Sequence, residues 1–166
     1  MSTIKIDVLD GLKLKWKGVT DFDEFYKKLK FYLVDDLGFA EQENLEKKYI
    51  QKVKGDGSTD LEILWIADKK KPNEFFRFII EVQFRVLGME KVEVQQGDIK
   101  RKMQKGTFEL KIIAYMESTE KWDSLKGLQK TYQRMIMKKR IEEFIGILYS
   151  KAMGLHSLAK SFLGLR

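Results

Sequence analysis

Residues 75–87 carry a long alternation of apolar and polar side chains, which constrains the fold more than any other feature of the sequence. In a β-strand, alternate side chains point to opposite faces, so one face of this segment would be wholly apolar and the other polar. The polar face can meet solvent, but the apolar one must be buried against a large body. The apolar positions are Phe76, Phe78, Ile80, Val82, Phe84 and Val86.

The segments around this strand predict an α+β fold of long elements. The single proline leaves almost every backbone N–H free to donate within helices and strands. Residues 4–8 and 12–16 alternate around Asp10-Gly11, which predicts an N-terminal hairpin. The apolar spacing over 21–37 predicts one helix, with Asp21 as its N-cap and Gly38 at its end. We predict antiparallel strands at 45–54, 61–68, 75–87, 92–96 (extending past a bulge at Gly97 to 103 as an alternative) and 107–116.

The C-terminal segment carries the whole net charge of the chain. Residues 125–166 contain nine basic and two acidic residues, whereas residues 1–124 contain 23 of each sign. Charge of one sign confined to one element steers association with a polyanion more strongly than scattered charge does. The segment therefore predicts a polyanionic partner.

The helical register of this segment changes near its middle. The sequence predicts either one long C-terminal helix or a helix pair, packed on the sheet. At 100° per residue, Leu125, Leu128, Tyr132, Met135 and Ile136 share one face, and Lys126, Lys130, Arg134 and Lys138 lie opposite. Beyond Met137 the apolar face moves to the side of these lysines. We therefore predict a single domain over 1–166, with 120–166 a basic helical region that reaches a partner subunit, most simply in a homodimer. The predicted oligomer contact comprises Met137, Ile141, Phe144, Ile145, Leu148, Leu155 and Phe162.

A basic helix face fits phosphate contact along a nucleic acid, with a solvated face as the plain alternative. Basic residues near predicted strand ends would extend the same surface, or are ordinary turn and edge charges. The predicted nucleic-acid-binding residues are Lys126, Lys130, Arg134, Lys138, Lys139, Arg140, Lys100, Arg101, Lys102 and Lys105.

The sequence contains no recognisable catalytic or metal-binding motif. It has no cysteine and a single histidine, His156, so thiolate sites and paired histidine ligands are excluded. We expect neither cofactor nor metal, and no enzymatic activity. No apolar stretch is long enough for a signal peptide or a membrane span. The sequence therefore predicts a cytoplasmic protein without a transmembrane segment.

The order of elements resembles that of START-like helix-grip domains, in which a curved sheet wraps a long C-terminal helix. The resemblance rests on element order alone, and one helix over 21–37 stands where that family usually has two. It implies a cavity for an apolar ligand between sheet and helix. The lining residues would be Phe76, Phe78, Ile80, Val82, Phe84, Ile112 and Met116.

Three functions follow as hypotheses. The first is a non-enzymatic protein whose basic C-terminal surface engages RNA or a ribonucleoprotein, such as a ribosomal subunit. The second is a helix-grip carrier of an apolar small molecule. The third is a protein-interaction module that uses the apolar helix face over 137–163.

Overall fold

The computed structural model describes residues 4–39, 45–69 and 75–164, and shows one antiparallel sheet with helices on one face. The strands lie in the order β1-β5-β4-β3-β2. The predicted α+β class is confirmed. The elements are β1 (Lys5–Thr20), α1 (Phe22–Phe31, continued by a π-helical turn at Tyr32–Asp36), β2 (Glu46–Val53), β3 (Thr59–Lys69), β4 (Phe76–Gln96), β5 (Ile99–Ser118), α2 (Glu120–Asp123) and α3 (Gly127–Phe162).

The predicted N-terminal hairpin is wrong, because β1 is one continuous strand. It pairs with β5 along its whole length, from Lys5 opposite Glu117 to Thr20 opposite Gln104. Gly11 has a φ of +107° and lies at a shift in register between Asp10 and Leu12. A glycine with positive φ serves a β-bulge as well as a tight turn. Because β1 pairs with β5 on both sides of Gly11, the positive φ of this glycine forms a bulge within the strand and not a turn between two strands.

The strands predicted at 75–87, 92–96 and 107–116 merge into two long strands. Gly88 lies in a bulge of β4, and the chain reverses at Gly97, whose φ is +63°. At Gly106 a Cβ would lie 3.1 Å from the carbonyl oxygen of Leu87, so this glycine permits close backbone approach inside β5. Pairing with β3 ends at Met89 and pairing with β1 ends at Gln104. Residues 92–103 therefore form a two-stranded extension, the hairpin arm.

The predicted apolar face of β4 forms the floor of the core. Its residues from Phe76 to Val86 at alternate positions are at most 2% exposed. The ring of Phe84 lies 4.7 Å from that of Trp65 and 6.2 Å from those of Phe22 and Phe25 in α1. The side chains that the helix-grip resemblance would place around a cavity pack instead against one another and against the helices.

Local signals set the ends of α1 as predicted. The Asp21 carboxylate accepts a hydrogen bond from the backbone N–H of Glu24 at 3.1 Å, which satisfies a free donor of the first turn. Gly38, with a φ of +73°, follows the π-helical turn, and the N–H of Phe39 donates to the carbonyl of Leu33. Of the connection between the strands predicted at 61–68 and 75–87, residues 70–74 lie outside the described ranges.

Helix α3 is continuous, which decides between the two predicted alternatives. Met137 packs with Phe76 and Trp122 at one end of the sheet, and Phe162 lies 5.4 Å from Phe25 at the other. Between them, Leu148, Ala152, Leu155 and Ala159 are fully buried. Residues 127–136 precede the first of these contacts, and most of them are exposed.

If the packing of aromatic rings around β4 holds the fold together, Phe84→Ala should lower the free energy of unfolding by about 3–5 kcal/mol. Phe31→Ala is the matched control, since this ring at the end of α1 is 57% exposed. It should change the free energy by less than about 1 kcal/mol. Urea unfolding followed by circular dichroism measures both. Equal losses in the two variants would contradict this description of the core.

Candidate nucleic-acid interface

Six basic side chains occupy the first third of α3 and the residue before it. Lys126, Arg134, Lys138, Lys139 and Arg140 are exposed, and Lys130 is half-buried. None of them forms an ion pair with a described residue, and no acidic residue occurs between Asp123 and Glu142. The positive charge of this segment is therefore not neutralised within the described parts of the chain.

Four of these residues form a line that we call the basic ridge: Lys126, Lys130, Arg134 and Lys138. Lys126 is the N-cap residue, and the other three lie within the helix. A rise of 1.5 Å per residue separates successive members inside the helix by about 6 Å. A row of cations at this spacing can contact several phosphates of one strand.

The second predicted basic cluster lies at the opposite end of the molecule. Lys100, Arg101 and Lys102 are on the hairpin arm, and Lys105 is at its base. The arm adjoins the start of α1, because the Gln104 side chain accepts from the N–H of Phe22 at 2.8 Å and Arg101 lies 3.5 Å from Asp21. Phe162, the last residue of α3, packs on α1, whereas the basic ridge is at the other end of this helix. The two clusters therefore do not form one surface, so of the two alternatives for the second cluster that of ordinary turn and edge charges remains.

A third group of cations caps the C-terminal end of the π-helical turn that continues α1. The ammonium groups of Lys69 and Lys151 each donate to the carbonyl oxygen of Leu37 at 3.4 Å. Burial, and then the nearby charge of Lys69, lowers the pKa of Lys151. These lysines have a structural partner, unlike those of the basic ridge. Lys70 and Lys71 lie outside the described residues.

The residues predicted as the oligomer contact pack against the chain's own sheet. Met137, Leu148 and Leu155 are at most 2% exposed. The remaining four are half-buried against the same core, and Phe144 lies 5.9 Å from Phe78. This corrects the prediction: the face is covered within the chain and is not free for a second copy. The sequence showed an apolar face but not the body that covers it.

A different apolar surface on α3 is exposed instead, and sequence reasoning did not select it as a contact. Its members follow one another on the face opposite the sheet, and we call them the apolar stripe. Four large apolar side chains on three turns of one helix exceed the scattered exposure that is ordinary at protein surfaces. In the sequence, the shift of the apolar face at Met137 was the signal that distinguished these residues from the apolar residues that pack on the sheet. The stripe consists of Leu128 (90% exposed), Tyr132 (63%), Met135 (75%) and Ile136 (39%).

The uncovered face of the sheet carries charges of both signs. An open groove of about 680 Å³ is lined by five cations and three anions, among them Lys48 and Glu62, which are 3.1 Å apart. Nearby, the guanidinium of Arg77 donates to Glu117 at 2.6 Å and to Asp68 at 3.3 Å. Such pairs cancel the local field, so this face is a poorer polyanion site than the basic ridge.

Searches for two other kinds of feature gave no result within the described residues. No group of three or more His, Asp or Glu side chains there is arranged to hold a metal ion. No helix in the same ranges has the length and apolar content needed to cross a membrane.

Comparison with protein-family models, with curated proteins and with solved structures found no match to this chain.

Because the cations of the basic ridge form no ion pair with the residues that the structure describes, their removal should not destabilise the fold. We expect Lys130→Ala and Arg134→Ala each to change the free energy of unfolding by less than about 0.5 kcal/mol. Arg77→Ala is the contrast and should cost about 1 kcal/mol, because it removes two charged hydrogen bonds at a partly exposed site. Urea titration gives these values. A loss above about 1 kcal/mol for the ridge variants would assign them a structural role.

His156 should make the fold more sensitive to acid. Burial, and then the charge of Lys160, lowers the pKa of His156 below its ordinary value of 6.5. The unfolded chain then binds the proton more readily, so the stabilisation is present above pH 6.5 and is lost as pH falls toward the folded-state pKa. We expect the urea midpoint to drop less in His156→Gln than in the wild type between pH 7.5 and 5.5. An equal drop in both would contradict this.

Proposed function

We propose that this chain is a non-enzymatic RNA-binding protein of the cytoplasm, and that its basic ridge, with Lys139 and Arg140, contacts the phosphates of an RNA or a ribonucleoprotein such as a ribosomal subunit. One observation carries the proposal. Six cations lie within fifteen residues of one exposed helix, without an acidic residue among them and without an ion pair to the described residues.

The physical gain comes from released counterions. Each phosphate neutralised by a lysine or arginine frees condensed cations, so affinity rises with the number of contacts and falls with added salt. Cations already paired within the protein would give a smaller gain, because their own ion pairs would have to break. Those of the basic ridge form no such pair with the described residues.

The position of the basic ridge also suits an extended partner. Lys126, Lys130 and Arg134 lie ahead of Met137, the first residue of α3 that packs on the sheet, and Lys138 directly follows it. The ridge is on the sheet-facing side of the helix, and three of its four side chains are exposed to a partner. A helix with one cationic side contacts backbone phosphates without reading bases. We therefore expect affinity for RNA with little dependence on sequence.

The two other hypotheses receive less support. An apolar ligand would need the space between sheet and helix, where Phe78, Ile80 and Ile112 pack in one cluster with Leu155. A void of about 10 Å³ beside Phe22 and Phe84 holds at most one water. The protein-interaction hypothesis named the face over 137–163, whose apolar residues are largely covered. A partner would therefore have to bind elsewhere, for example at the apolar stripe.

Binding to a single-stranded RNA, measured by fluorescence anisotropy, should weaken at least about a hundredfold between 50 and 200 mM salt. The triple variant Lys130→Glu, Arg134→Glu, Lys138→Glu should reduce the slope of log affinity against log salt by about 2, since three contacts are lost.

The matched control carries the same charge change elsewhere. Lys13, Lys15 and Lys17 are exposed on β1, and their replacement by Glu lowers the net charge equally. The slope should then stay close to that of the wild type. Equal effects of the two triple variants, or no binding by the wild type at 50 mM salt, would refute the proposed interface.

A further inference from the structure

On the exposed face of α3, large apolar side chains at heptad spacing lie on both sides of a short central segment that contains Lys139, Glu142 and Gly146. Positions spaced alternately by four and three residues stay on one side of a helix and form the contact line of a coiled coil. Eight consecutive positions of this kind run along the side of α3 that faces away from the sheet, and we call them the seam. They are Leu128, Tyr132, Met135, Lys139, Glu142, Gly146, Tyr149 and Met153.

The seam is open to solvent along most of its length. Lys139, Glu142 and Gly146 are exposed, Tyr149 is 47% exposed and Met153 is half-buried. A Cβ added at Gly146 would meet no atom within 4 Å. No described part of the chain therefore covers the middle of the seam, and large apolar side chains are exposed on either side of it.

We infer that a second copy of this chain covers the seam, with the two α3 helices antiparallel and the two-fold axis between residues 140 and 141. In an antiparallel pair, each a position faces a d position of the other helix. This arrangement matches every seam residue to another: Leu128 to Met153, Tyr132 to Tyr149, Met135 to Gly146 and Lys139 to Glu142.

Charge selects this arrangement over a parallel one. Lys139 and Glu142 are the two charged seam positions and lie next to the two-fold axis. Antiparallel packing places each beside its opposite charge on the other copy, twice by symmetry. Parallel packing in register would place Lys139 beside Lys139 and Glu142 beside Glu142, which is destabilising. Polar residues at seam positions commonly fix orientation and register in this way.

Size complementarity points to the same register. Met135, one of the large exposed side chains of the stripe, faces Gly146, which leaves room for it. The two tyrosines, Tyr132 and Tyr149, face each other, and aromatic pairs stabilise such contacts beyond their buried area. A glycine lowers helix stability at an exposed position, and the space that Gly146 leaves for Met135 of the other copy explains its presence here.

Charge also argues against an anionic membrane as the occupant. Glu142 and Glu143 are exposed on the same side of α3 and would lie against the lipid head groups. The members of the basic ridge point away from the seam, by about 120° or more for most of them. The second copy thus leaves the ridge free but takes up Lys139, which in the dimer pairs with Glu142 and no longer contacts phosphate. The dimer does not depend on the RNA-binding proposal.

Analytical ultracentrifugation of nuclease-treated full-length protein tests the inference. The wild type should sediment at twice the 19.6 kDa chain mass. Lys139→Glu and Glu142→Lys should each raise the dissociation constant at least about a hundredfold, because like charges then meet at two places. The double variant with both changes should dimerise again, and an equimolar mixture of the two single variants should form heterodimers. Lys130→Glu, on the ridge, is the control and should leave the dimer intact.

Disulfide cross-linking tests the orientation, since the chain has no native cysteine. Met135→Cys combined with Gly146→Cys should give a covalent dimer, because the two positions meet between copies, whereas within one helix they lie about 16 Å apart. Met135→Cys alone should not cross-link, but would do so in a parallel pair.

A monomeric wild type at 200 μM, a dimer unaffected by Lys139→Glu, or cross-linking of Met135→Cys alone would overturn the inference. A monomer that binds anionic vesicles, and loses this binding in Tyr132→Glu, would assign the seam to lipid and overturn it as well. RNA binding is measured separately, with the basic-ridge variants. If the RNA-binding proposal fails, the results expected for dimerisation and cross-linking stay the same.

Discussion

Burial of the apolar face of β4 against α1 and α3 is the interaction on which the rest of the structure depends. The large side chains on this face, from Phe76 to Val86, are all buried. Burial of each contributes roughly 1.5–3 kcal/mol to the free energy of folding. The strand spans the sheet, so whatever covers it must be equally long. A helix of 36 residues meets this need, with contacts that extend from Met137 to Phe162.

Because of this packing, the two sides of α3 lie in different environments. The side with Leu148, Ala152, Leu155 and Ala159 is used by the core and is not available for binding. The opposite side becomes the seam. Because α3 begins ten residues before Met137, its first turns extend beyond the core contacts and expose both the basic ridge and the apolar stripe. One helix therefore presents two chemically different surfaces to solvent.

Backbone geometry distributes charge in a way that composition does not reveal. The chain is neutral over residues 1–124, and the structure pairs many of those charges locally, as in Arg77 with Glu117 and Lys48 with Glu62. The long β4–β5 hairpin carries Lys100 to Lys105 away from the basic ridge, toward the far end of α3. The basic ridge and the basic cluster of the hairpin arm thus lie at opposite ends of α3.

The sequence alone determined the elements whose signals are local: the alternation in β4, the Asp21 cap, the end of α1 near Gly38 and the basic half of the C-terminal region. It did not determine the role of Gly11, Gly88 or Gly106, because a positive φ or a missing side chain suits a turn, a bulge and a close contact equally. It also could not tell which apolar face of α3 meets the sheet, since both have helical spacing. Only the tertiary structure decided these points, because long-range pairing with β5 and the length of the sheet select one arrangement among several that are locally equivalent.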